Sequence, residues 1–171
     1  RSSLAPLVYE TGALLIDDGR PRILGPGSAP PARDPLGWTH TVTDAGSLGA
    51  LLIADDASGG FFALNGGGLG EDIGNVYYFA PDALAWEGLE VGYSAFVEWA
   101  LCGDLALFYQ TVRWSNWPEE VRTLGGEQVY AFFPFLWTEP KLSVNERKRT
   151  VTPIEEQWRL AQELAGSHPA S

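Results

Sequence analysis

IADDASGGFFALNGGGLGEDIGNVYYFAPD, residues 53–82, sets five acids and seven glycines between apolar runs. The strands GALLIA, GFFALN and NVYYFA account for the runs, and the glycines and acids for the turns between them, with Pro81-Asp82 closing the third strand. A calcium loop would need alternating oxygen ligands, but Asp55 is followed two positions on by Ala57, which fails at the second ligand. A phosphate loop would need a Lys before Ser or Thr, and no Lys occurs before position 141. NGGGLG also leads into a strand rather than a helix, so the dinucleotide fingerprint does not fit. The stretch reads as scaffold, with Asp55 and Asp56 as solvated turn acids.

Upstream, LVYE, ALLI and RPRIL are β-like runs separated by Thr11-Gly12 and Asp17-Asp18-Gly19. Residues 25–37 hold four prolines and read as an irregular loop, and Trp38 to Val42 as a resumed strand. Downstream the period changes. Phe96, Trp99, Ala100, Leu107 and Phe108 in AFVEWALCGDLALFYQ have helical spacing, with Ser94 as N-cap and a break at Gly103-Asp104. Trp117-Pro118-Glu119-Glu120 opens a short helix stopped by Gly125-Gly126. QVYAFFPFLW returns to strand composition, which Pro134 pushes toward an edge or an early end. KLSVNERKRT reads as a polar linker. Thr152-Pro153-Ile154-Glu155 has the form of a capping box for a last helix that docks its Trp158 face, ends at Gly166 and leaves a frayed tail. The expected fold is α+β: a mostly antiparallel meander of short strands with helices packed on one side. Residues 1–140 form the domain, and 141–171 the linker and the docked helix.

At 171 residues the chain suits one domain, which buries roughly 70% of its unfolded surface. The net charge is −11 and is unevenly placed: residues 1–140 carry 18 acids against 6 bases, residues 141–171 carry 4 against 5. Such a body repels phosphate backbones, so nucleic acid and anionic membranes are poor partners and a basic protein is a better one. No apolar stretch is long enough to span a bilayer. The single cysteine, Cys102, fits a reducing, cytoplasmic compartment. The chain has no Met, which fits a fragment of a longer product.

Catalytic signals are sparse. Ser28 and Ser47 sit in no G-x-S-x-G elbow, the two histidines are His40 and His168, and Cys102 lies among apolar helical residues as core filling. One Cys and two His nearly exclude a zinc site, and no cofactor is expected. Most of the seven Trp and six Tyr lie in periodic apolar segments and read as core; Trp86, Trp114 or Trp117, where exposed, would be partner anchors. The favoured reading is a non-enzymatic domain that binds a protein partner, with Asp55, Asp56, Glu71, Asp72 and Trp86 as contacts. Its rival is a hydrolase that uses paired carboxylates in an aromatic cleft.

The string LLIADDASGGFFALNGGGLGEDIGNVYYFAPDALAWEGLEVGYSAFVEWALCGDLALFY, with RW at 113–114, FFPFLW at 132–137 and VYETGALLIDDGRPRILGPG upstream, resembles the bacterial domain-of-unknown-function family 2625. More distantly, the meander with D-x-x-G-G-hydrophobic, Asn65, and the helix S-x-F-x-E-W is similar to the SUKH superfamily. That resemblance implies an α+β fold whose bacterial members are often immunity proteins that neutralise toxins. The comparable positions are Gly59, Gly60, Phe61, Ser94, Phe96 and Trp99, mainly fold-bearing, and the resemblance implies no catalytic residue.

Overall fold

A computed structural model describes residues 13–16, 21–25, 33–44 and 46–167. Six strands form one antiparallel sheet in chain order: β1 (Ala13–Leu15), β2 (Arg22–Leu24), β3 (Ala50–Asp55), β4 (Phe61–Asn65), β5 (Asn75–Ala80) and β6 (Ala85–Gly92). This is the expected meander. The strand expected at LVYE, the turn at residues 17–19, most of the proline-rich loop and His168 lie outside the described residues.

The residues read as a strand at Trp38–Val42 belong instead to a helix, α1 (Pro35–Val42). Its β-prone Trp, Thr and Val are overridden by a strong start signal. The Asp34 side chain accepts a hydrogen bond from Gly37 N at 2.8 Å, and Pro35 occupies the first turn, where its missing N–H costs nothing. β6 runs straight into α2 (Tyr93–Cys102), so Gly92 rather than Ser94 takes the N-cap position. The break at Gly103-Asp104 is as expected: Asp104 caps α3 (Leu105–Phe108) by accepting from Leu107 N. Helix α4 (Trp117–Val121) follows.

Strand β7 (Gln128–Phe133) stops at Pro134 and pairs antiparallel with β8 (Lys148–Pro153). The segment read as a polar linker is therefore partly a strand, entered through a 3-10 turn at Val144–Glu146. Its alternation of Lys, Arg and Thr with few apolar residues suits an exposed edge, where polarity conceals the strand signal. The last helix, α5 (Ile154–Ser167), starts one residue after Pro153, which ends β8, and runs past Gly166.

Helices cover both faces of the large sheet, not one. Phe62, Val76 and Tyr78 project to the face covered by Phe96, Val97 and Ala100 of α2. Their neighbours Phe61, Ala63 and Phe79 project to the opposite face, under Trp38 of α1 and Ile154, Trp158 and Ala161 of α5. The strands ALLIA, FFALN and VYYFA are apolar at nearly every position, so each face of the pleat must be buried. Burying a Phe or Leu side chain contributes about 1.5–3 kcal/mol, so the second layer of helices is strongly favoured.

Candidate functional site

Asp55 and Asp56 have no exposed surface, so neither is the solvated turn acid expected, and neither offers itself to a partner. Asp55 ends β3 between two guanidinium groups. Arg22 Nε donates to its Oδ1 at 2.5 Å, and Arg33 Nη1 lies 2.7 Å from its Oδ2. The arginines reach on to backbone carbonyls, Arg22 to Gln128 O at 2.7 Å and Arg33 to Gly126 O at 3.0 Å, and so tie the segment leading into β7 to the large sheet. Burial of a carboxylate is tolerable here because opposite charges surround it. Asp56 instead organises the β3–β4 turn. Its Oδ1 accepts from Ser58 N at 2.8 Å and Gly60 N at 3.1 Å, and its Oδ2 from the Tyr78 hydroxyl at 2.9 Å.

Glu71 and Asp72 are exposed on the β4–β5 loop. Asn65 holds that loop from inside: its Oδ1 accepts from Gly67 N (2.7 Å) and Leu69 N (3.1 Å), and its Nδ2 donates to Gly70 O (2.9 Å). Gly68 lies so close to Gly49 that a Cβ on it would stand 2.0 Å from Leu48 O, which accounts for the glycine run without a phosphate. Asp72 accepts from Tyr77 OH at 2.6 Å and Asn75 Nδ2 at 3.0 Å, and these bonds hold its carboxyl below the usual range. The Tyr77 hydroxyl is pushed up by the same bond. Trp86 is half-buried against Phe79 and Trp158. The five expected contacts thus do not converge: two are internal, two ride a rigid loop, and one is packed on α5.

Of the other anchors considered, Trp114 is buried and donates Nε1 to Glu120 at 2.9 Å. Arg149 grips the same carboxylate with both Nε (3.0 Å) and Nη2 (3.1 Å), and this pairing lowers the Glu120 pKa. Trp117 is half-buried beneath Arg113. Cys102 is exposed on α2 rather than core filling, and His40 sits on α1 across the sheet, so they form no pair. Among the described residues no group of three His, Cys, Asp or Glu side chains could hold a metal ion, and no helix is long and apolar enough to cross a membrane.

Two clefts among the described residues lie along the seam of α1 and α5. One cleft, of about 400 Å³, has Trp38 and Ile154 at its base, Arg33 in its wall and Asp34, Glu127 and Glu155 at its rim. A second, of about 420 Å³, lies further along the same two helices and is lined by Thr43, Asp44, Leu48, Trp158 and Gln162. In the wall of the second cleft Trp158 Nε1 donates to Val42 O at 3.0 Å. The carboxylates here have other commitments. Asp34 caps α1, and Glu155 pairs with Arg159 one turn on. A strand at Trp38–Val42, as the sequence suggests, would leave no such groove; the Asp34-Pro35 helix start is the signal in the sequence that points to it.

The family that matches residues 1–157 is described as "Protein of unknown function DUF2625". The chain is 50% identical to the putative uncharacterized protein YbfG of Escherichia coli (strain K12), across 96% of this chain and 74% of the relative. It is 41% identical to an uncharacterized protein of Haemophilus influenzae, across 90% of this chain and 69% of the relative. No solved structure matches.

Proposed function

We propose, for a chain that belongs to the DUF2625 family of unknown function, that it is a non-enzymatic acidic domain that binds a basic protein partner, in an immunity-like or adaptor role in the cytoplasm. The observation that carries this reading is the state of the carboxylates. Asp55, Asp56 and Glu120 are tied to partners from distant segments, while Glu71, Asp72, Glu87, Glu90 and Glu127 are exposed, Asp72 bonded only within its own loop and the strands that flank it. A hydrolytic acid must be kept protonated by burial or by a like charge. In the cleft based on Trp38, Asp34 is a helix cap and Glu155 an ion-pair member, which leaves Glu127 without a second free acid beside it. Exposed acids on rigid supports suit the steering of a basic partner instead.

Capture of the tagged protein's partners from cell lysate, at low and raised salt, tests the reading. A basic protein retained at low salt and lost as salt rises is the expected result. Retention of no basic protein at either salt, with turnover of a hydrolase substrate that the Glu127→Gln variant lacks, would overturn it in favour of the catalytic alternative.

A further inference from the structure

We infer that the α1–α5 groove docks an extended basic segment of a partner protein. This rests on the protein-binding reading and adds to it a place and a geometry. The groove's acids are Asp34, Asp44, Glu127 and Glu155. Its cations are fewer: Arg159 is spent on Glu155 and Arg33 shares Asp55 with Arg22, so Asp34, Asp44 and Glu127 leave the rim net negative. Glu127 is exposed and has no side-chain partner among the described residues. The rim therefore favours Lys or Arg side chains, whose aliphatic stems can lie along Trp38 and Ile154 while their heads reach the carboxylates.

The length of the groove fits an extended backbone. Glu155 and Gln162 are separated by roughly 10 Å of helix axis. An extended chain covers that distance in about three residues. A short strand-like peptide can thus bring one cation to the acids of the first cleft and another to Asp44 in the second.

The test uses the full chain and a fluorescein-labelled octapeptide of alternating Arg and Val, with a Glu–Val octapeptide as control, read by fluorescence anisotropy at low salt. Binding of the Arg–Val peptide alone, weakened at least tenfold by Glu127→Lys and by Thr41→Arg but less than twofold by Glu71→Lys, is expected. All three substitutions are at exposed positions, and circular dichroism of each variant serves as the check that it folds. Failure to bind, equal binding of both peptides, or loss through Glu71→Lys with Glu127→Lys spared would overturn the groove assignment. A basic protein captured from lysate that Glu127→Lys does not release would do the same while leaving the protein-binding reading intact.

Discussion

Asp55 sits between Arg22 and Arg33 with no exposed surface, so its charge is a structural part and not a binding handle. Replacing it with Asn keeps the shape and leaves two guanidinium groups short of a counter-charge. Breaking a buried pair in this way costs about 3–5 kcal/mol. Urea denaturation of Asp55→Asn at neutral pH should show that loss, and a wild-type midpoint would mean the pairing is dispensable. Gly60 makes a different demand: a Cβ there would stand 2.3 Å from the Tyr78 hydroxyl and 2.4 Å from Asp56 Oδ2. Gly60→Ala must push apart a hydrogen bond in the core, and a loss of about 1–3 kcal/mol is expected from overpacking. The additional variant Tyr78→Phe, which removes the hydroxyl, should recover part of that loss.

At the scale of elements, α5 is held on the sheet by Trp158, which is 3% exposed, meets Phe61 edge to face at 4.9 Å and donates to Val42 O. Trp158→Ala should cost about 3–5 kcal/mol. Hydrogen exchange should find the loss of protection concentrated in α1 and α5, with α2 least affected. The β7–β8 pair is braced through Glu120, whose bonds with Arg149 and Trp114 lower its pKa below that of an ordinary glutamate. A carboxylate whose folded pKa is depressed stabilises fully above its unfolded value, and loses that contribution as pH falls through the folded one. Melting temperature should therefore fall on acidification below the ordinary carboxylate range, and Glu120→Gln should have a lower plateau and a shallower acid limb. An identical acid limb in wild type and variant would show that other groups set it. Asp72 shifts in the same direction, but it lies on an exposed loop where solvent screens its contribution.

For the molecule as a whole, the Arg22–Asp55–Arg33 cluster couples two sheets, since the arginines bind carbonyls of Gln128 and Gly126 just where β7 begins. Asp55→Asn should therefore weaken exchange protection in β2 and β7 together, and a change confined to β2 would contradict that coupling. The net charge of −11 acts at this scale too, because long-range steering depends on the summed field and not on one contact. Glu71→Lys should slow association with a basic partner without changing its dissociation if the β4–β5 loop only steers, whereas Glu127→Lys should speed dissociation if the groove is where the partner rests. Stopped-flow kinetics at two salt concentrations separates these effects.

The sequence by itself determined the elements whose signals are local. NVYYFA is β5 to the residue, Pro134 ends β7, and Gly103-Asp104 divides α2 from α3, because strand composition, a missing N–H and a helix cap act within a few residues. An antiparallel meander was legible from the turn chemistry, but the strand order was not: β2 and β3 pair across a connection that contains α1, and only the structure shows it. Tertiary structure alone decided which acids are inside. Asp55 is buried because Arg22, 33 residues away, and Arg33 converge on it, while Asp72, also in an acidic turn, stays in solvent with Tyr77 and Asn75. It also decided the groove, whose walls come from α1 and α5 and whose crossing bond joins residues 116 apart. Turn acids look alike in a chain; what separates them is whether opposite charges from distant segments offset the loss of water, and only the assembled fold supplies those charges.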